Sequence, residues 1–147
     1  MSRKGVTLLE LIIVMIIIAI AAALTIPSIG AWLPNYRLKT ATRDIVSLMR
    51  SAQMKAISEN TEYRVRFVAA DGSYVVQRRT TAGVWVDDGV AQRVSDGIRF
   101  HEINLPDNSA EFNPNSTSSA GNIVLRNRKE NEKRIVLFSA TGRIRIE

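Results

Sequence analysis

The sequence predicts an α+β fold in which one long amino-terminal helix packs on an antiparallel β-sheet. Three patterns indicate this class: an apolar run begins near residue 6, apolar residues then recur with helical spacing to about residue 58, and they alternate with polar residues from residue 61 onward. One long helix followed by several short strands is typical of a sheet folded against the amphipathic part of that helix. The 147 residues allow one modest core in addition to the helix.

The first part of the helix is almost entirely apolar. Residues 11–24 carry only apolar side chains, and the run extends at both ends to about twenty residues, which is enough to cross a bilayer. Arg3 and Lys4 precede the run and favour a cytoplasmic amino terminus, with the remainder of the chain on the far side of the membrane. We therefore expect residues 6–30 to form a hydrophobic transmembrane helix.

A cleaved secretory signal peptide is the alternative explanation of this run. The basic head, the apolar stretch and the small residues at positions 21–23 all fit that alternative. Two features disfavour it: Glu10 places a charge inside the apolar stretch, where it would hinder insertion, and the helical pattern continues past the expected cleavage position. An ionised carboxylate in hydrocarbon is costly, so Glu10 itself needs an explanation.

The second part of the helix is predicted to be amphipathic. Pro27, Gly30 and Pro34 are expected to kink or interrupt the helix before this part begins. Residues 59 and 60 fit the end of the helix, since an asparagine is tolerated where a chain leaves a helix. One helical face between these limits carries the apolar residues Leu38, Ala41, Ile45, Leu48, Ala52 and Ala56.

Short strands are predicted for the rest of the chain. In the first strand, Tyr63, Val65 and Phe67 lie on one side and arginines on the other. An Asp-Gly pair at residues 71–72 is a strong hairpin signal, so the residues that follow it are expected to return as the partner strand. Further strands are predicted at residues 84–86, 97–101, 109–112, 122–126, 134–138 and 143–146.

The basic residues concentrate at the two ends of the chain. The formal net charge is +6, from 20 Lys and Arg against 14 Asp and Glu. Residues 1–5 contribute +2 and residues 121–147 contribute +4, with seven bases against three acids, so residues 6–120 are formally neutral. Such an asymmetry favours a localised anionic partner.

Catalytic and metal-dependent chemistry finds little support in the sequence. The chain has no Cys and one His, which removes the commonest nucleophiles and metal ligands. His101 and Glu102 are neighbours in a predicted strand, so we expect their side chains to point to opposite faces and not to share a ligand. We therefore predict no catalytic residue, no metal and no cofactor, and we disfavour the alternative of a membrane-anchored or secreted enzyme.

The stretch GVTLLELIIVMIIIAIAAALTIP, residues 5–27, resembles the class III leader and first helix of type IV pilins and of type II secretion pseudopilins. Residues 43–67 and 134–146 resemble the helix-to-strand passage and the closing hairpin of the GspH/FimT branch of that family, with the nearest resemblance to FimT-like minor pilins. The likeness covers essentially the whole chain, and it implies a type IV pilin-like fold.

The resemblance implies that a prepilin peptidase cuts between Gly5 and Val6 and that the new amino terminus of Val6 is N-methylated. It divides the chain into a leader of residues 1–5, a transmembrane and filament-core helix of residues 6–30, and residues 31–147 with the amphipathic helix and a globular β-sheet domain. The protein would lie in the bacterial inner membrane, with its amino terminus cytoplasmic and its domain periplasmic. It would then join other major and minor pilins in a pilus or pseudopilus.

Cleavage after Gly5 would give Glu10 a partner. The new α-amine of Val6 is a cation that must also enter an apolar helix bundle, so pairing it with the carboxylate of a neighbouring subunit offsets two desolvation costs. Such a pair would fix the axial register of one subunit against the next. The alternative is that the Glu10 side chain only reaches the polar surface of the membrane.

The stretch GRIR, residues 142–145, suggests a nucleic-acid partner. In a strand, Arg143 and Arg145 project from the same face about 6.6 Å apart, while Ile144 and Ile146 face the core. Guanidinium groups suit phosphates, and Gly142 would supply the preceding turn with a positive φ. FimT-like minor pilins of naturally competent bacteria bind DNA through a GRxR stretch of this kind, and the resemblance carries that expectation to Gly142, Arg143 and Arg145.

Neighbouring bases reinforce this predicted DNA site: Arg126, Arg128, Lys129, Lys133 and Arg134. No recognition helix or stacking aromatic residue accompanies them, so binding would be to the phosphates of double-stranded DNA, without sequence specificity and with strong salt dependence. A solvated strand with basic outward residues is the alternative explanation. The predicted function is a minor pilin of a type IV pilus machine that binds DNA during natural transformation, and the alternative is a structural GspH-like pseudopilin of a type II secretion system.

Overall fold

The computed structural model describes residues 7–147, except for the side chains of residues 24–29 and 31. The chain separates into two compact units, Met1–Leu33 and Pro34–Glu147. The buried hydrophobic cluster extends from Leu38 to Ile144, so it lies wholly in the second unit. Because this unit has a hydrophobic core of its own, we expect it to fold without the first unit.

Helix α1 covers Leu8–Ser58 and accounts for 51 residues. Its start is capped by Thr7, whose Oγ1 accepts a hydrogen bond from the Glu10 backbone N–H at 3.2 Å. The helical conformation continues through the proline and glycine positions 27, 30 and 34, where the sequence predicted a kink or an interruption. An interruption is therefore excluded and the predicted single long helix is observed, whereas the kink stays a prediction. A proline removes a single backbone hydrogen bond, and the bonds on either side of it keep the chain helical.

The end of α1 lies where the sequence predicted it. Asn60 adopts the left-handed conformation with φ of 50°. The Thr61 N–H then donates to the Ala56 carbonyl at 3.2 Å and the Glu59 N–H donates to the Lys55 carbonyl at 2.9 Å, which satisfies two of the last helical carbonyls.

Nine strands follow the helix within residues 63–146, all of them paired antiparallel. Their bounds are β1 Tyr63–Val68, β2 Ser73–Arg79, β3 Trp85–Asp87, β4 Gln92–Arg93, β5 Ile98–Asn104, β6 Ser109–Phe112, β7 Gly121–Asn127, β8 Glu132–Phe138 and β9 Arg143–Ile146. The first sheet has the order β3-β2-β1-β6, with β4 also paired to β2, and the second sheet has the order β5-β7-β8-β9. The predicted α+β class is confirmed.

The helix and both sheets share one core. Aromatic rings of the two sheets meet at Phe67 and Phe100, whose ring centroids are 5.6 Å apart in an edge-to-face arrangement. The predicted helical face is buried as expected, except that Leu48 is only partly buried. Its place in the core is taken by Val46 and Met49, which are 4% and 0% exposed. The face of the helix that meets the sheets is therefore wider than the predicted stripe.

The predicted strands at 97–101 and 134–138 are longer in the structure, where they cover Ile98–Asn104 and Glu132–Phe138, and two further differences have a physical reason. The two-residue strand β4 was not predicted, because so short a segment has no readable alternation. In β5 the pairing register shifts between Phe100 and Glu102, so His101 is the extra residue of a bulge. The expectation that His101 and Glu102 point to opposite faces assumed regular alternation, and the bulge removes the basis for it.

Candidate functional site

The first half of α1 exposes apolar side chains on every side. Each large apolar residue between Leu8 and Ile20 is at least 45% exposed. A helix that is hydrophobic all round is stable only when lipid or other protein surrounds it. Within the described stretches, which stop at Ala23 and resume at Gly30, no helical segment is both long and apolar enough to cross a membrane.

Glu10 lies in the first turn of this apolar half. Its backbone N–H bonds to Thr7, but its carboxylate makes no hydrogen bond or ion pair with any described residue. The Thr-x-x-Glu spacing at residues 7–10 is a helix-start signal that the sequence reasoning did not use. The predicted cleavage site at Gly5 and Val6 lies outside the described residues.

At the other end of the chain, Arg143 and Arg145 project from the same face of β9. This is the outer face of the second sheet, opposite the face that carries the buried Ile144. The expectation that Ile146 also faces the core is wrong in part, because Ile146 is 40% exposed. It lies at the end of an edge strand, where only Ile135 of β8 stands beside it in the sheet.

Gly142 is required by the packing of its neighbours as well as by its conformation. Its φ of 58° agrees with the predicted positive value. A Cβ at this position would lie 2.3 Å from Gln53 Nε2 and 2.7 Å from the Ser116 carbonyl oxygen. The β8–β9 turn therefore rests against α1 and against the loop that contains Ser116, a contact that the sequence could not indicate.

Arg126 is neutralised by two carboxylates on the second sheet. Its Nη1 lies 2.8 Å from Glu130 Oε2, and its Nε donates to Glu132 Oε1 at 2.7 Å. Hydrogen bonding to Arg126 holds the pKa of the Glu132 carboxyl below its usual value. His101 Nε2 also contacts the Arg126 guanidinium, at 2.5 Å. An arginine engaged in this way has little capacity left for an external phosphate.

Arg128 and Lys129 lie in the β7–β8 turn, away from Arg143. That turn is fastened to α1 by Asn35, whose Oδ1 accepts hydrogen bonds from Asn127 Nδ2 at 3.1 Å and Asn131 Nδ2 at 2.7 Å. The β8–β9 turn contacts α1 at Gln53, which is about 27 Å farther along the helix axis. The two turns therefore lie at opposite ends of the sheet.

Lys133 and Arg134 divide between the two faces of β8. Lys133 shares a face with the buried Ile135, whereas Arg134 shares the outer face with Arg145. The structure thus brings together Arg134, Arg143 and Arg145 near one edge of the outer face. Arg126 also lies on this face, diagonal to Arg134, but it is engaged by Glu130 and Glu132. Arg128, Lys129 and Lys133 do not lie with these residues.

A groove beside β9 contains residues that the sequence reasoning did not single out. It has a volume of about 540 Å³ and is lined by Arg50, Gln53 and Met54 of α1 and by residues 141–144. Met54 is 65% exposed, which is unusual for a methionine on an otherwise packed helix. Helical spacing places residues 50 and 54 off the core stripe, but only the tertiary structure brings them beside β9.

On the outer face of the first sheet, by contrast, an arginine is engaged by side chains of the same sheet. Arg64 Nε donates to Gln77 Oε1 at 2.7 Å, and Gln77 Nε2 donates to Asp87 Oδ1 at 2.8 Å, so a polar chain crosses three strands. The Arg64 guanidinium also lies 4.3 Å from the centroid of the Trp85 ring. Burial lowers the pKa of Arg64. This network is structural.

Comparisons with known proteins agree with this architecture. Residues 41–142 match the GspH family, described as type II transport protein GspH, and residues 1–26 match the prokaryotic N-terminal methylation motif. No curated protein matches the chain.

Two solved structures have the same fold. The minor pseudopilin EpsH from the type 2 secretion system of Vibrio cholerae is 11% identical with a TM-score of 0.65, over 76% of this chain and 96% of that chain. The type IV minor pilin FimU of Pseudomonas aeruginosa is 11% identical with a TM-score of 0.60, over 77% of this chain and 90% of that chain. At such identities the likeness shows the fold alone, which is type IV pilin-like. Since the family match spans more than half of the sequence, the chain belongs to the GspH family of minor pilins and pseudopilins.

Proposed function

We propose that this chain is a structural, non-catalytic subunit that is cut after Gly5, anchored by the apolar half of α1 in the bacterial inner membrane, and then incorporated into a filament. In this proposal the amino terminus is cytoplasmic and the β-sheet domain periplasmic. The observation that carries the proposal is the exposure of every large apolar side chain between Leu8 and Ile20. Lipid would cover these side chains before assembly, and the helices of other pilins would cover them afterwards.

The Glu10 carboxylate supports the proposal that this helix assembles with the helices of other subunits. It has no partner among the described residues of its own chain. In the filament it would pair with the methylated α-amine of Val6 in a neighbouring subunit, and the pair would set the axial register.

Two variants test processing and assembly separately. Gly5→Ala is expected to leave an uncut precursor in the inner membrane, because the peptidase requires the small residue before the cut. Glu10→Gln keeps the size of the side chain but removes the charge, so it should be processed normally and be lost from sheared filaments. Asp44→Asn, which removes one exposed carboxylate elsewhere on α1, is the matched control and should be incorporated normally. Equal processing of Gly5→Ala and the unaltered chain would contradict the prepilin assignment.

A second candidate activity is binding of double-stranded DNA in a type IV pilus machine that serves natural transformation. The observation that favours it is the placement of Arg143 and Arg145 on one exposed face of an edge strand, with Arg134 on the same face of β8, diagonal to Arg145. Arg143 makes no ion pair with any described residue. Arg145 makes one long ion pair, with its Nη1 4.0 Å from Glu147 Oε1. Such guanidinium groups are available to phosphates.

The DNA proposal is tested on residues 34–147 by gel retardation of a duplex at several salt concentrations. The logarithm of the affinity should fall linearly with the logarithm of the salt concentration, and Arg143→Ala with Arg145→Ala should reduce that slope by about 2. The control replaces Arg93 and Arg99, two exposed arginines that already pair with carboxylates, and should leave the slope nearly unchanged. If no shift occurs even at low salt, the alternative is favoured, a structural pseudopilin of a type II secretion system.

A further inference from the structure

We propose that the open edge of β9, together with the groove between β9 and α1, is a docking site for an extended acidic segment of a partner protein. The segment would add to the second sheet as a further strand and place a carboxylate between Arg50 and Arg143. Arg143 belongs to both proposals, but this one does not depend on DNA binding, because its other parts are the backbone edge of β9 and the groove residues Arg50 and Met54.

The hydrogen-bond register shows that the backbone of β9 has an open side. Glu147 and Arg134 exchange both backbone hydrogen bonds, at 2.8 and 3.0 Å, and β9 is the last strand of its sheet. In an antiparallel ladder every second residue points its N–H and C=O away from the partner strand. In β9 these residues are Ile144 and Ile146, and no described residue outside the ladder bonds to their backbone groups.

The groove gives an added strand a place for its side chains. It lies directly beside this edge, has a volume of about 540 Å³ and is floored in part by the exposed side chain of Met54. A methionine is flexible and polarisable, so it adapts to varied apolar side chains. A strand edge beside a helix is also the geometry by which known domains bind extended peptides, with backbone bonds supplying affinity and alternate side chains entering pockets.

The charge of the groove selects an acidic occupant. Arg50 and Arg143 line it and no acidic residue does. Neither guanidinium has a hydrogen bond or ion pair with any described residue. Arginines on an edge strand normally resist the addition of another strand, so a segment that adds here must carry carboxylates that pair with them. A nucleic acid would satisfy the two cations but not the backbone edge or Met54, and therefore a polypeptide is the better occupant.

The test uses ¹⁵N NMR on residues 34–147, the unit that contains the whole described core. The probe is a blocked peptide in which Val and Glu alternate, and the control peptide has Lys in place of Glu. The Val-Glu peptide is expected to shift the amide signals of Ile144 and Ile146 and to slow their hydrogen exchange, and the Val-Lys peptide should do neither.

Two variants locate the binding on the protein. Met54→Glu is expected to weaken the Val-Glu peptide at least about tenfold, since it adds a like charge to the groove. Val90→Glu, which changes a residue that is 87% exposed in the connection between β3 and β4, should leave binding unchanged. Equal binding of both peptides, or unprotected Ile144 and Ile146 amides at saturating peptide, would overturn the proposal. The proposal would also be overturned if a DNA duplex protected these two amides and Met54→Glu abolished that protection.

Discussion

The two units of the chain use similar residues in opposite ways. In the first unit the apolar side chains of residues 8–23 are exposed, whereas in Pro34–Glu147 the same helix buries residues such as Ile45 and Met49 completely. Helix formation and core formation are therefore separate matters in this chain. The backbone is helical throughout α1, but only the second unit supplies sheets that cover the helix. In the proposed function, lipid or other subunits cover the first unit.

Replacing one methionine in each unit is expected to give the largest difference in the free energy of unfolding. Met49 is 0% exposed and Met15 is 64% exposed. Met49→Ala is expected to lower the free energy of unfolding by about 2–5 kcal/mol, because it leaves a cavity in the core. Met15→Ala should change it by less than about 0.5 kcal/mol. Urea unfolding of the full chain in detergent measures both, and an equal loss in the two variants would show that the first unit has a core of its own.

Replacing one glycine in each unit is expected to give the next largest difference in stability. Gly142→Ala is expected to destabilise the second unit by about 1–3 kcal/mol, since the new Cβ would have an unfavourable φ and would meet Gln53 and Ser116. At Gly30 an added Cβ meets nothing within 4 Å, so Gly30→Ala should strengthen the helix by about 1 kcal/mol. Thermal unfolding followed by circular dichroism distinguishes the two signs. A stabilised Gly142→Ala variant would mean that the β8–β9 turn does not rest on α1.

A pair of threonines separates local from global effects. Thr7 caps the start of α1, so Thr7→Ala should cost about 1 kcal/mol of local helix stability and speed hydrogen exchange at Glu10. Thr42 is buried and donates to the Leu38 carbonyl at 2.7 Å, so Thr42→Val should lower the global free energy of unfolding by about 1 kcal/mol. A global loss of stability in Thr7→Ala, together with a purely local loss in Thr42→Val, would contradict the division into units.

The smallest expected effect is a pH dependence confined to the second unit. The folded-state pKa of Glu132 lies below its ordinary value because of Arg126. The pair therefore stabilises the fold above the ordinary glutamate pKa of about 4.3, and this stabilisation is lost as the pH falls through the lowered value. Glu132→Gln should reduce stability near neutral pH and make no difference in strong acid. An unchanged stability of Glu132→Gln near neutral pH would contradict the assignment.

Local patterns in the sequence were sufficient to predict the helix, its end and most strands. Periodicity identified the buried face of α1, but it favoured Leu48 over Met49, because the width of the stripe depends on how two sheets wrap the helix. The bulge at His101 was equally unpredictable, since a register shift depends on the pairing of β5 with β7. What the sequence lacks in these cases is information about the partner element.

The candidate site shows the same limit more sharply. The prediction grouped eight residues at the end of the chain by their proximity in sequence, but the two turns that join β7, β8 and β9 lie at opposite ends of the sheet. Arg126 was counted as a free base, although two acids within six residues of it close into ion pairs when β7 and β8 align. Arg50 and Met54 were not considered, because their proximity to β9 is a tertiary contact.

The pairing of β1 with β6 has a consequence for the order of folding. Tyr63 stands opposite Phe112 in the first sheet, so the loop between them includes β2, β3, β4 and β5. Such a contact requires a large loop to close before any pairing energy is gained, whereas β7, β8 and β9 pair as consecutive hairpins. During synthesis, the β1–β2 hairpin therefore waits with one edge open until β6 has left the ribosome. We expect a chain stalled before Ser109 to expose that edge and to be captured by chaperones more readily than one stalled after Phe112.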